Sequence, residues 1–495
     1  MGQMRFSVPR PERIDPLVLQ RTYLAGMDSV PWLSSSEWDG ETLTVSREIR
    51  ESGNLYIPWP VAEHGELMLT TASLMERRAA YHLPVELARG TLNRLRNQAA
   101  VWQQSGMVLS NELTDEIRQA GRAFSRAATH QSDPLAASDL AEESMRLALH
   151  AIRKLATDYA QQVIAYRTQQ SPQLPTLLVG NVESDPFDPA MSRRFLRAFN
   201  SAAVPVSWRL AETEQGRIDL TKVEQQVQWC RDQNLRVIVG PLASLERSNL
   251  PDWMYLWEGD YEMIQPCVMK LVHTAVERLR GKVQVWNVAA RLNIGDTLQL
   301  TEEHRLRMAV DAIETVRRLD PKTPIIITVD QPWGEYLAHE NFELSPLHFA
   351  DTLVRAELGI AGLGLELNVD YWPRGSTHRD LLELNRLMDH WSQFALPLVV
   401  FLTAPSSDDV DPEAAAGIKT VPAARADRHS RETQADFVES VVPLLLAKPN
   451  VHAIVWNQMR DDQRHDFPYG GLFDFRHKKK KAIRSLSAIR RRHLN

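Results

Sequence analysis

Five polar side chains stand at or just beyond the ends of apolar runs in this chain, and their types bound the chemistry available. Asp330 closes the run Ile325 to Val329, Glu366 lies in the run Gly362 to Leu367 with Asn368 and Asp370 just after it, and Arg291 ends the run that begins Val285-Trp286-Asn287. Two carboxyl groups facing each other across a cleft can hydrolyse a glycosidic bond, one as acid and the other as nucleophile or base. Glu366 and Asn368 are two apart, so on a strand they point the same way. A glutamate within reach of Arg291 is held ionised by the opposite charge, which suits a nucleophile, a base or a ligand anchor better than an acid. The guanidinium gives up no proton near neutral pH. Glu366 and Asp330 are therefore the candidate catalytic pair. The alternative for the same residues is a structural ion pair between Arg291 and Glu366.

Around these positions the sequence offers groups that suit a sugar. Trp208, Trp286, Trp333 and Trp456 fall at or near the ends of apolar runs, and Trp372 lies just past another. A flat apolar face with one N–H donor matches a sugar ring, although an aromatic at a strand end also serves as plain core. Asn287, Asn457, Gln458, Asp461 and Asp462 can supply hydrogen bonds, or else cap and turn the backbone. The candidate binding set is Arg291, Asn287, Trp333, Asn368, Asp370, Trp456, Asn457 and Asp461. The histidines are scattered and HExxH, Walker and GxGxxG patterns are absent, so neither a metal nor another cofactor is expected.

The elements that must position these residues form a regular series. From Thr176 onward, short apolar runs alternate with longer helical stretches: Leu177 to Val179, Ala203 to Trp208, Val237 to Val239, Val283 to Val288, Ile325 to Val329, Gly362 to Leu367, Leu398 to Leu402 and Ala453 to Trp456. Eight continuous apolar strands, each followed by a helix, predict a (β/α)8 TIM barrel of the α/β class, with its chemistry on the loops after the strand C-termini. Before it, strand signals at Leu17 to Leu24, Glu41 to Arg47, Gly53 to Pro58 and Leu67 to Ser73 precede helical patterns over 74–104, 111–129 and 137–168. The expected organisation is a smaller N-terminal α+β domain with long helices at 1–170, a Gln- and Pro-rich boundary at Gln169 to Pro175, and the barrel at 171–495.

Composition narrows the partners. The chain has 495 residues, 43% hydrophobic and 24% charged, with a formal net charge of -6. That gives no global basic field for nucleic acid, and no window reaches the roughly 18 apolar residues of a membrane helix. The start of the sequence lacks the apolar core of a signal peptide, and Cys230 and Cys267 are too few for a disulfide framework, so a cytoplasmic location is expected. Arg476 to Asn495 holds nine Lys or Arg residues and no acid, which reads as the solvated face of the last barrel helix or a patch for an anionic partner. Ser406 to His429 is long for a barrel loop and is expected to be a flap over the mouth or a disordered segment.

A series of short motifs resembles glycoside hydrolase family 10, the xylanases, over residues 176–490. In order they are Phe199-Asn200, Trp208, Glu212 to Asp219, Gly240, Leu250-Pro251-Asp252-Trp253, Val285-Trp286-Asn287-Val288, Gly362 to Glu366, Ala453 to Trp456, Asp461-Asp462, Gly471-Leu472-Phe473-Asp474 and Lys481-Ala482. The resemblance implies a barrel that acts on carbohydrate through two glutamates, an acid/base after strand four and a nucleophile on strand seven. In the same register Ala290 and Arg291 stand where Asn-Glu is expected, and Leu402 or its neighbour stands at the nucleophile position. Ala203 and Val204 replace Glu-Asn, Pro241 replaces His, and Glu366 and Asn368 replace Gln and His, with Glu366 implied to point inward. The expected function is hydrolysis of O-glycosidic bonds of a poly- or oligosaccharide by a rebuilt site. The alternative is an inactive carbohydrate-binding or scaffold protein that keeps the barrel and self-associates through its N-terminal helices.

Overall fold

Burial on both faces of each strand organises the C-terminal two thirds of the chain. In a computed structural model, which describes residues 2–494 except 171, 184, 296, 416 and 423–427, eight parallel strands close into a barrel. They are Leu177–Asn181, Ser201–Val204, Arg236–Val239, Val285–Ala290, Ile325–Asp330, Gly362–Asn368, Leu398–Thr403 and Val451–Trp456. Each pairs with the next, and the eighth returns to the first through Ala453 opposite Leu177. This is the (β/α)8 barrel that the eight apolar runs predict. Alternate residues turn inward: Val179, Ala203, Ile238, Ile326, Val399, Phe401, Ala453 and Val455 form a compact inner cluster, while their neighbours pack against the outer helices. Inside it the sixth strand needs a glycine, because a Cβ on Gly364 would lie 2.3 Å from Thr328 Oγ1.

Among the described residues the N-terminal region holds two small sheets, the short helix Pro16–Gln20 and three long helices. One sheet orders Ser34–Trp38, Thr42–Arg47, Gly2–Ser7 and Tyr81–His82, and the other orders Tyr23–Ala25, Asn54–Val61 and Gly65–Thr70. The long helices are Leu83–Gln104, Asn111–Thr129 and Pro134–Gln170. The last packs on the barrel helix Arg431–Ala447. Arg94 ties the first to the barrel through Asp380 at 2.9 Å and Glu383 at 3.2 Å. Among the described residues no helix is long and apolar enough to cross a membrane.

Four local expectations differ from the structure. Pro16–Gln20 is a short helix where a strand was expected, because Asp15 caps it by accepting from Val18 N and Pro16 starts it. The helix expected from residue 74 begins at Leu83, with Pro84 in its first turn. The second barrel strand ends at Val204, and Trp208 opens a helical turn, Trp208–Ala211. Two prolines have the right φ for a helix start and no N–H to contribute to a ladder, which is why apolar content alone misplaces these boundaries. The segment 406–429 is held by hydrogen bonds where it is described: Lys419–Thr420 pairs with Tyr371–Trp372, and Asp411 joins the last loop. Residues 416 and 423–427 of the expected flap, residue 171 of the expected domain boundary, and Asn495 of the basic tail lie outside the described residues.

Candidate active site at the barrel mouth

Strand pleating and one irregularity bring the candidate residues to the C-terminal mouth. Along the fifth and sixth strands Ile326 and Gly364 face the interior, so Asp330, Glu366 and Asn368, each an even number of residues on, share that direction. The fourth strand shifts register between Asn287 and Ala289, which lets both Asn287 and Ala290 line the mouth. Arg291 follows with φ 60°, a left-handed turn that sends its side chain across the opening instead of along the strand.

Arg291 is the centre of the charged network. Its Nε donates to Glu366 Oε2 at 2.8 Å and its Nη2 lies 2.7 Å from the same oxygen. Nη1 donates to Asp466 Oδ2 at 2.9 Å and lies 3.9 Å from Glu246, and the guanidinium sits 5.5 Å from the Phe467 ring centre. Arg374 holds Glu246 at 2.8 Å. Burial opposes charge on Asp466, yet the Arg291 cation and hydrogen bonds from Ser248 and Arg291 outweigh it and keep that carboxyl below its usual range. The same surroundings hold Arg291 protonated well above the ordinary guanidinium range, its burial overcome by Glu366, Asp330, Glu246 and Asp466.

Asp330 sits behind this network. It is 1% exposed, and its Oδ1 accepts from Gln331 N at 2.8 Å and from Asn368 Nδ2 at 3.3 Å. The Asn368 amide also lies 3.5 Å from Glu366 Oε2, so it bridges the two acids. Burial pushes the Asp330 carboxyl up to about 7, with the Arg291 charge pulling down and the Glu366 and Glu246 charges adding to the rise.

Beside the network lies an open cavity of about 1190 Å³. Its walls mix polar groups, Asn181, Ser207, Ser244, Asn249, Asn457 and Gln458 among them, with apolar ones such as Val206, Pro241, Phe401 and Phe467. Four carboxylates line it, and each is paired with an arginine: Glu183 with Arg460 at 3.2 Å, Glu246 with Arg374, and Glu366 and Asp466 with Arg291. On the seventh strand Phe401 and Thr403 face this space, and Leu402 packs outward.

The predicted residues separate into two groups. Arg291, Glu366, Asn287 and Asn457 line the cavity, and Asp330 and Asn368 stand directly behind it. The other four point elsewhere. Trp456 is buried and donates to Gly470 O at 3.1 Å, so it is core. Asp461 is buried in an ion pair with Lys480 at 2.6 Å. Asp370 binds the backbone N–H and ring of His378 on another side of the barrel. Trp333 stacks under Arg379 at 4.7 Å in a separate cavity. Glu246, Arg374 and Asp466 belong to the network and were not anticipated. They come from irregular loops after the third, sixth and eighth strands, where no periodicity marks an inward side chain.

Among the described residues no group of three or more His, Cys, Asp or Glu could hold a metal ion.

No protein-family model and no curated relative matches the chain. Among solved structures it is similar to xylanase 10B from Thermotoga maritima, at 15% identity and a TM-score of 0.45 over 65% of this chain and 96% of that one. It is also similar to a GH10 endoxylanase from a sugarcane soil metagenome, at 13% identity and a TM-score of 0.47 over 66% and 99%. A third is xylanase B from Clostridium stercorarium F9, at 11% identity and a TM-score of 0.46 over 66% and 98%. The barrel is established by its own closed ring of strands, and one barrel hosts many chemistries, so function is argued from the side chains at the mouth.

Proposed function

We propose that the barrel mouth binds an oligosaccharide and holds it without hydrolysing it. The observation that carries this reading is Arg291, which neutralises Glu366 and Asp466 at once. A hydrolase of this type needs one carboxyl that can give a proton to the leaving oxygen. The carboxylates lining the cavity instead accept from guanidinium groups; the Arg291 charge and hydrogen bonds hold Asp466 below its usual range, while burial raises Glu183 against the pull of Arg460. The polar part of the walls supplies amide and hydroxyl groups for sugar hydroxyls.

A hydrolytic reading is favoured by one observation, the Asp330 carboxyl at about 7. In that reading Asp330 is the acid and Glu366 the base or nucleophile. Calorimetric titration with xylo-, cello- and manno-oligosaccharides, followed by chromatography of the recovered sugar, separates the two. Saturable binding with intact sugar supports the first; cleavage abolished by Asp330→Asn supports the second. No binding by any of the three series leaves neither, and favours a scaffold role through the N-terminal helices.

A further inference from the structure

The fold brings a second basic segment to the basic end of the chain. The helix Pro189–Ala198 follows the first barrel strand, the helix Ala482–His493 follows the eighth, and the two pack side by side on the barrel flank. Arg490 fastens them by donating to Leu196 O and Phe199 O. The first helix holds three arginines and no acid. Residues 476–495, which include the second, hold nine Lys or Arg residues and again no acid.

Only part of this charge is neutralised inside the structure. Lys480 is buried against Asp461, Lys481 pairs with Glu432, and Arg490 serves the helix contact. Arg197, Lys478, Arg484 and Arg491 are exposed, and Arg194 and Lys479 are half-buried. Arg484 and Arg491 are seven apart, so they share one face of their helix. Lys479 joins the two helices electrostatically: the charges of Arg484 and Arg194, some desolvation and the charge of Arg197 hold its ammonium below the ordinary lysine range. The charges that act on it are all cations. Acids at the border are engaged by other groups, Asp188 and Asp462 by His477 and Asp474 by Arg431.

We infer that this two-helix face docks on an anionic membrane surface, held by charge and without insertion. Among the described residues neither helix exposes a large apolar side chain or an aromatic ring, so the face has nothing to bury in acyl chains and no platform for stacked bases. A cationic face two helices wide suits a plane of anionic headgroups better than a single nucleic-acid strand. The whole chain carries -6, so attraction to such a plane comes from this face and fixes the orientation of the barrel on it. The mouth opens at the strand ends and not on the flank, so docking leaves it free.

Sedimentation of the full chain with vesicles tests this, using phosphatidylcholine alone or with about 30 mol% phosphatidylglycerol. The expected result is association with the anionic vesicles at about 0.1 M salt, none with phosphatidylcholine alone, and release at about 1 M, where the Debye length falls to roughly 3 Å. Arg197→Gln together with Arg484→Gln should weaken association about twenty-five-fold, about fivefold for each cation removed. Both side chains are exposed, so thermal unfolding should match the wild type. Lys322→Gln together with Lys419→Gln makes the same change of net charge at exposed positions off this face, and should stay within about twofold of the wild type. Absence of association with the anionic vesicles, equal association with phosphatidylcholine, or association undiminished by the arginine substitutions would overturn the proposal. Tighter binding of an RNA or DNA duplex at the lower salt, weakened by the same substitutions, would overturn it in favour of a nucleic acid.

Discussion

Arg291 and Glu366, 75 residues apart in the chain, meet through two guanidinium nitrogens on one carboxylate oxygen, at 2.8 and 2.7 Å. The contact fixes the electrostatics of the mouth. A guanidinium in the position after the fourth strand turns neighbouring acids into acceptors, and the second nitrogen face of the same group does so for Asp466. With Arg291 and Glu366 only 11% and 6% exposed, solvent screens little of this interaction.

Removing the cation leaves the buried Glu366 without its counter-charge and the half-buried Asp466 with its Ser248 hydrogen bond alone. Arg291→Met should therefore lower unfolding stability by about 3–5 kcal/mol, the usual cost of breaking a buried pair from one side. Glu366→Gln should cost less, because Arg291 keeps Asp466. Urea denaturation of the two variants checks the order.

Asp330 gives a pH signature opposite in sign to most acids. Its folded value, about 7, lies above the unfolded value near 3.9, so the native state binds the extra proton between those limits. Stability from this group is present at low pH and is lost as pH rises from about 4 towards 7. Asp330→Asn keeps an oxygen to accept from Gln331 N and Asn368 Nδ2 and has no charge to bury. The variant should lose this part of the slope and exceed the wild type in thermal stability at pH 8, as melting curves from pH 4 to 8 would record.

His465 and Asp411 latch the last loop to the segment after the seventh strand, with Nε2 3.0 Å from Oδ2 and Tyr469 N donating to the same oxygen at 2.8 Å. Burial opposes the imidazolium, but the hydrogen bond and charge of Asp411 prevail and raise His465 above 6.5. Its stabilising effect is complete below pH 6.5 and fades as pH rises through the raised value. Limited proteolysis of residues 406–415 should accelerate across that range, and His465→Gln should abolish the pH dependence.

Asp461 separates structure from binding. It is 0% exposed and paired with Lys480, which is 2% exposed. Asp461→Asn should destabilise the chain by about 3–5 kcal/mol, leaving Lys480 without its counter-charge. Oligosaccharide affinity at 15 °C should stay within about twofold, a shift of roughly 0.4 kcal/mol. Parallel melting and titration of the variant distinguish the two effects.

The barrel was legible because each strand is buried on both faces and so reads as an unbroken apolar run. Asp330, Glu366 and Arg291 were legible as a group because they end three successive strands of that series. Glu246, Arg374 and Asp466 were not, since loop side chains are aimed by turns and partners far away in sequence. Trp333 and Trp456 show the same limit from the other side. A strand-end aromatic can turn to the mouth, the core or a neighbouring cavity, and its residue type is the same in each case.

The central claim, binding without cleavage at the mouth, is tested most directly by one calorimetric titration of the wild-type chain with a bound oligosaccharide, the sugar being recovered and chromatographed after prolonged incubation. The account predicts a saturable isotherm and sugar of unchanged length. Shortened products from the wild type, absent with Glu366→Gln, would contradict it.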